Sequence, residues 1–575
     1  MRRPRSRRLP LLLAVLLAGC SLPLQRGVQS ATGVSAEQRP QDDIRVIPPG
    51  PRDGESALQV VSGFLGAQAS ATEAHAIARR FLSPVARWDD AADLLVYDPA
   101  SLLIEPTQDS GGIAQVTTQA TVTARIRRDG SYDAQPRHTV TESYSLTRPA
   151  GGQWRLVSVP PGLRLTPADR DRSFTAERTY FLAPAVPGES PHLVADPVYL
   201  PDSSGLVAGA EALVRRLVAG PSETLTGSVQ TAVPLRTDVD RVSSTGAGVI
   251  EVGLRGRATE LSPAARQQLS AQLIWTLRSL PGFTGLRLRV GGELVAPPST
   301  GTVLQDVGSL ASYDPDGLPA DAPLYYVDGR RLRARDTVLP VTAATSPELG
   351  AAGAVPVDQV AVAPGRGLVA LVTREGTLRL GSLKGGSYLL ALRRPGLRSP
   401  SWGAGGSGVW VLEGSRRLLR VLGKDDAHEV PLEGAPTGLT ALAVARDGVR
   451  VALVSSGRLL VGRVQRSGGA LRVVGLVAVA PDLLGVQAVS WAGATTLVAI
   501  GSLQGTLLPV RIAVDGSSLV PLDGPGLPGR PTAVAASPGA TVVAADGPQG
   551  SRLFRANGSG FTALTGRGTA PAYPG

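Results

Sequence analysis

Cysteine occurs once in the 575-residue chain, at Cys20, so no internal disulfide can staple the fold, which must rest on burial and hydrogen bonds. Lysine is almost absent: Lys384 and Lys424 are the only two among 58 basic residues, a bias of GC-rich coding rather than a chemical signature. The four histidines, His75, His138, His192 and His428, are scattered, without metal-ligand spacing and without a second cysteine, which argues against a metal site. Aromatic residues make up only 4% and do not interleave with arginines, so the formal charge of +11 lacks a base-stacking, nucleic-acid-binding footprint. Five of those charges, Arg2, Arg3, Arg5, Arg7 and Arg8, precede the ninth residue; without them the formal charge falls to +6. Beyond Leu17 there is no apolar run of about 18 residues, so no later segment reads as a membrane span.

What is present begins with that basic start, followed by the short apolar run Leu9–Leu17 and the sequence Leu17-Ala18-Gly19-Cys20. The run is too short to cross a bilayer and has the layout of a signal peptide, 1–19. Residues 20–54 are polar and rich in Pro, Gly and Ser, a composition suited to a tether. The tetrad ending at Cys20 resembles a bacterial lipobox. That resemblance implies a Cys20 that carries a thiol diacylglyceryl and an N-acyl group, and so holds the protein on the extracytoplasmic face of the cell membrane by more than one lipid chain.

Sixty-nine glycines and 47 prolines, about a fifth of the chain, point to turn-rich β structure, and the length calls for several domains. Residues 55–182 show two helical stretches, Leu58/Val61/Phe64/Leu65 and Ile77/Phe81/Leu82. A two-residue alternation then runs from Val116 to Ile126, with further strands at 138–147 and 153–159. Helices first and strands after predict an α+β domain, similar in outline to nuclear-transport-factor-like (NTF2-like) domains.

Residues 191–296 carry an extended segment Val198-Tyr199-Leu200, a helix stopped at Gly220-Pro221, a strand at 248–254, a helix opened by Ser262-Pro263, and a strand Leu286–Val290. This ordered set resembles the GerMN domain of spore-germination and related envelope proteins, which implies a second α+β fold with an interaction or assembly role. Trp275, among apolar neighbours at helical spacing, reads as core.

From 302 to 575 apolar tetrads recur at Leu324, Val369, Val409, Val451, Leu497 and Thr541, in steps of 45, 40, 42, 46 and 44 residues. Such a period with several strands per unit predicts an all-β propeller of about six blades, the tetrads forming inner strands. Ser399-Pro400-Ser401-Trp402 and Ala570-Pro571-Ala572-Tyr573 hold similar places before a blade, so a C-terminal strand is expected to close the ring.

No motif of chemistry emerges. Gly403-Ala404-Gly405-Gly406-Ser407-Gly408 fits G-x-G-x-x-G but precedes a strand and reads as a blade turn. The acidic pairs Asp42-Asp43, Asp89-Asp90 and Asp425-Asp426 read as solvated loops, and there is no G-x-S-x-G elbow. The expectation is a protein without enzyme activity and without a cofactor. Lipobox, helix-then-sheet domain, GerMN-like domain and propeller, in this order, resemble the actinobacterial lipoprotein LpqB family across the whole chain. The resemblance implies an accessory factor of the MtrAB two-component system that contacts the extracytoplasmic domain of the MtrB-type sensor histidine kinase, modulating MtrA signalling and envelope homeostasis. An envelope glycan- or peptide-binding receptor, meeting a cell-wall ligand, and an envelope hydrolase remain as other readings.

Overall fold

The computed structural model describes residues 48–575 apart from 71–74, 187–190, 320, 330, 336–356, 366, 385–387, 549, 559 and 565. The signal segment 1–19, Cys20 and most of the 20–54 tether therefore lie outside the described residues.

The first domain opens with α1 (Ala57–Ala67), started by a capping box: the Ser56 hydroxyl accepts from the Gln59 amide and the Gln59 side chain accepts from the Ser56 amide. One turn, α2 (Ala76–Arg79), follows. Strands β1 (Leu94–Tyr97), β2 (Leu103–Ser110), β3 (Ile113–Ile126), β4 (Tyr132–Thr147), β5 (Arg155–Ser158) and β6 (Arg164–Leu165) form a sheet ordered β5-β4-β3-β1-β6, with β2 on β3. The alternation read in β3 is physical: Val116, Val122, Ala124 and Ile126 are buried, and Val116, Ala124 and Ile126 meet Val61, Phe64 and Leu65 of α1 in one core.

After α3 (Pro167–Ser173), β7 (Phe174–Leu182) pairs along its whole length with β8 (Leu193–Pro201), Phe174 facing Pro201 and Leu182 facing Leu193. This corrects the sequence division, which ended the first domain at 182. The stretch between that boundary and Leu193 joins two paired strands, and Tyr180, Phe181 and Leu182 bury their side chains in the second domain's core.

That second domain continues with α4 (Leu206–Val218), β9 (Thr237–Gly246), β10 (Val249–Gly256), α5 (Pro263–Leu277), β11 (Gly285–Val290), β12 (Glu293–Val295) and β13 (Leu304–Asp306). Its sheet runs β12-β11-β10-β9, with β13 on β11, and the parallel pair β10–β11 is joined through α5. Ser262 caps α5 by accepting from the Ala265 amide, and Pro263 occupies the first turn, where its missing N–H costs nothing. Every residue from Leu269 to Leu277 is buried, because α5 packs against β7, α4 and β11 at once. The Gln272 side chain ties β7 in, donating to the Tyr180 carbonyl at 2.7 Å and accepting from the Ala232 amide at 2.7 Å. Trp275 is core, and its indole N–H donates to the Leu310 carbonyl at 3.2 Å.

Among the described residues the C-terminal domain forms a propeller of six blades. Blades 2 to 6 are four-stranded antiparallel sheets beginning at Gln359, Leu397, Leu439, Leu484 and Arg530. Blade 1 combines Leu324–Asp328 and Arg331–Arg335 with Thr569–Ala572 from the C-terminal end, so the ring is closed by strand exchange as the sequence suggested. The innermost strand of each blade, Thr569–Ala572 in blade 1, touches the innermost strand of the next all the way round. The apolar tetrads are consequently one strand further out than expected: they are second strands, paired on both edges and covered on both faces, as with Val451–Val454. Blades are stitched by a Ser-Trp pair. The Trp402 and Trp491 indoles donate back to Ala361 and Ala443 of the preceding blade at 3.0 Å each. The Ser401 and Ser490 hydroxyls accept from Val444 and Ala536 of the following blade at 2.9 and 3.0 Å.

Candidate functional site

The site with the most committed polar chemistry lies where all three domains meet. From the first domain comes the β3–β4 turn, whose Asp129 carboxylate accepts from the Ser131 amide and hydroxyl and turns the chain through Gly130 at φ +83°. Gly130 lends its carbonyl to the Tyr199 amide of β8 at 2.7 Å, and Asp129 also accepts from the Glu223 amide at 2.8 Å. Burial works against the ionised carboxyl of Asp129, but the bonds from Ser131 and Glu223 outweigh it and hold the group below the usual carboxylate range.

From the propeller comes the turn between the first two strands of blade 4. Val449 packs with Val194 and Leu225, and the His192 Nε2–H donates to the Asp447 carbonyl at 3.1 Å. Arg450, 6% exposed, donates to Asp447, 1% exposed, at 3.2 Å and to the Ala195 carbonyl at 2.5 Å, so a buried ion pair of the propeller is completed by the second domain. Next to it Asp196 is fully buried, accepting from the Ser222 amide and hydroxyl at 2.8 and 2.7 Å; burial pushes its carboxyl up despite these bonds.

The third contact is aromatic. Tyr132 and Tyr199 lie 5.4 Å apart with the Arg170 guanidinium 5.6 Å from each ring. Burial raises the Tyr132 hydroxyl to about 12. Facing them is the blade 5 turn, where Asp515 accepts from the Ser517 amide and hydroxyl and is itself pushed up by burial. Gly516, at φ +80°, lets the two domains close: a Cβ there would sit 2.7 Å from the Ala134 Cβ. Between these contacts is a cavity of about 490 Å³, walled by Arg127 and Tyr132 of the first domain, Pro197 and Thr226 of the second, and Val461 and Val479 of the propeller.

The residues singled out by sequence do not converge here. Cys20 and Asp42-Asp43 lie outside the described residues. The glycine run forms a short turn between the first two strands of blade 3, with the Gly403 amide donating to the Gly408 carbonyl at 2.9 Å. His75 packs edge-on to Trp88, His138 is exposed, His428 pairs with Asp426 at 2.6 Å, and only His192 reaches the junction. Asp89 and Asp90 bind separate arginines, Arg128 and Arg79. Among the described residues no three His, Cys, Asp or Glu side chains are grouped to hold a metal ion, and no helix is long and apolar enough to cross a membrane. The junction residues Asp196, Asp447, Arg450 and Asp515 were missed by sequence reasoning. One signal was available: Asp196 is the lone charge in the apolar strand Leu193–Leu200, a position that demands a partner.

Comparison with known proteins follows the same three-part division. Residues 50–171 match the model "Lipoprotein LpqB, N-terminal domain", residues 178–296 match "Sporulation and spore germination", and residues 338–574 match "Lipoprotein LpqB beta-propeller domain". The second match starts inside β7, in keeping with the corrected boundary. The chain is 28% identical to "Lipoprotein LpqB" of Thermobifida fusca over 98% of this chain and 97% of that protein, and 29% identical to that of Streptomyces coelicolor over 88% and 87%. Among solved structures, TolB from Acinetobacter baumannii overlaps 59% of this chain and 99% of its own at a TM-score of 0.36 and 11% identity, too distant to bear on function. Two models of one family span well over half of the chain, and full-length relatives bear the same name, so the chain belongs to the lipoprotein LpqB family.

Proposed function

We propose that this protein is a lipid-anchored, non-catalytic accessory factor on the extracytoplasmic face of the cell membrane, held there through Cys20, that contacts the extracytoplasmic domain of the sensor kinase of the MtrAB two-component system. The observation that carries the reading is the junction: polar contacts lock three domains together, and its His192 and carboxylates are taken up in structural bonds, which makes a body suited to contact rather than to chemistry. The family's lipoprotein name and the lipobox at Cys20 support the anchor. A rigid body modulates a kinase by touching its two signalling states unequally. In-cell crosslinking from the intact protein, with Cys20→Ala as control, tests this. Capture of a sensor kinase's extracytoplasmic domain, weakened in the control, is the expected result; capture of cell-wall material or envelope-synthesis enzymes alone refutes it.

A further inference from the structure

The junction cavity contains one charge that the fold leaves unused. Of the three arginines in its wall, Arg127 is held by Asp133 at 2.8 Å and Glu223 at 3.5 Å, and Arg450 by Asp447 and the Ala195 carbonyl. Arg463 has no hydrogen-bond or ion-pair partner among the described residues, and its Nε is shut off from solvent. An orphaned buried donor costs stability, so its persistence calls for a ligand or a compensating role.

The backbone around Arg463 is built to aim it. The third and fourth strands of blade 4 fall out of register between Val461, opposite Val477, and Arg463, opposite Val474. This bulge holds Gly475 at φ +61°, where a Cβ would collide with the Arg463 guanidinium; the Gly475 amide is pinned by the Glu433 carboxylate at 2.6 Å. Bulges of this kind re-aim side chains beside functional sites. The wall near Arg463 is aliphatic, with Val461, Val477, Val479 and Val514. Asp515, in the same wall, accepts from the Ser517 amide and hydroxyl and makes no ion pair with Arg463 among the described residues.

We propose that the cavity binds a small monocarboxylate with an aliphatic body, the carboxylate taken by the Arg463 guanidinium and the body laid on the valines. One uncommitted positive charge matches a monoanion better than a phosphate dianion, and the planar fork of arginine fits a carboxylate bidentately. A volume of about 490 Å³ is in the range of small-molecule sites. Because the walls come from three domains, an occupant ties them together. This goes beyond the kinase reading and does not depend on it.

The test uses the full-length chain in nanodiscs, with empty nanodiscs as blank, titrated with hexanoate, its neutral analogue hexanamide and inorganic phosphate, and read by saturation-transfer NMR and calorimetry. Saturable hexanoate binding near ~1 mM is expected, given the probe's size. It should be at least about tenfold weaker for hexanamide and for Arg463→Gln, as loss of one charge-assisted pair implies. Gly475→Val, which displaces the guanidinium without removing its charge, should weaken binding as well, and serves if Arg463→Gln fails to fold. Absence of saturable hexanoate binding, equal binding of hexanamide, unchanged affinity in both variants, or phosphate binding tighter than hexanoate each overturns the proposal.

Discussion

Replacing Gly130 by alanine isolates the seat between the first two domains. At φ +83° an alanine pays about 1–2 kcal/mol for the left-handed conformation, partly offset by about 0.4–1 kcal/mol of lost unfolded-chain entropy. The same sum applies to Gly151, at φ +72° with open space where a Cβ would go. At Gly130, however, the new Cβ would sit 2.9 Å from the Tyr199 carbonyl oxygen, a backbone atom that cannot rotate away. The strands must separate, and the 2.7 Å bond from the Tyr199 amide to the Gly130 carbonyl is strained or lost, adding about 1–2 kcal/mol. Native-state hydrogen exchange reads this locally, without requiring the whole chain to unfold in one step. The Tyr199 amide should exchange roughly five- to thirtyfold faster in Gly130→Ala, which is the added term converted at about 1.4 kcal/mol per decade. Gly151→Ala should leave it unchanged. Equal exchange at Tyr199 in the two variants refutes the claim that the β3–β4 turn is seated on β8.

Further outcomes are expected. Trp491→Phe keeps the ring but removes the donor to Ala443, and should lower propeller stability by about 1–2 kcal/mol in denaturant titrations, against about 3–5 kcal/mol for Trp491→Ala. Deleting residues 569–575 should expose the edge of Leu324–Asp328 and produce concentration-dependent self-association on size-exclusion chromatography. For Asp515 the folded-state carboxyl is raised by burial, so the folded protein binds its proton more tightly. Its contribution favours folding at low pH and is lost as pH rises from the ordinary carboxylate value of 3.8 through the raised one. Asp515→Asn should therefore raise the melting temperature at neutral pH and lose that advantage in acid, as followed by thermal unfolding across pH.

The parts of the fold that sequence exposed are those with one-dimensional signatures. Ser262-Pro263 opens α5 because a cap and a proline act within one turn, the β3 alternation marks a half-buried strand, and the tetrad period marks the blades. What it misplaced depends on which neighbour an element finds. β7 reads equally well as an end or a beginning until its pairing with β8 is known, and a tetrad of buried residues looks the same whether it lies innermost or second from the axis. The junction was not legible, because Arg450 and Ala195, or Gly130 and Tyr199, are far apart in the chain and no local pattern links them. Asp196 alone carried a mark of its partner, as a carboxylate where an apolar residue was due.

The strand Thr569–Ala572 imposes an order on the making of this protein. Blade 1 begins at Leu324, yet its innermost strand is supplied only after some 240 further residues have been made. Chains emerge from the amino end, so the first two domains can settle while the propeller is still an open arc with a bare apolar edge. Any chain cut short before Thr569 lacks the clasp, however sound its other blades. Closure of the ring thus reports that synthesis has passed Ala572, and a product truncated before it is left with a sticky strand that quality-control proteases and chaperones can recognise.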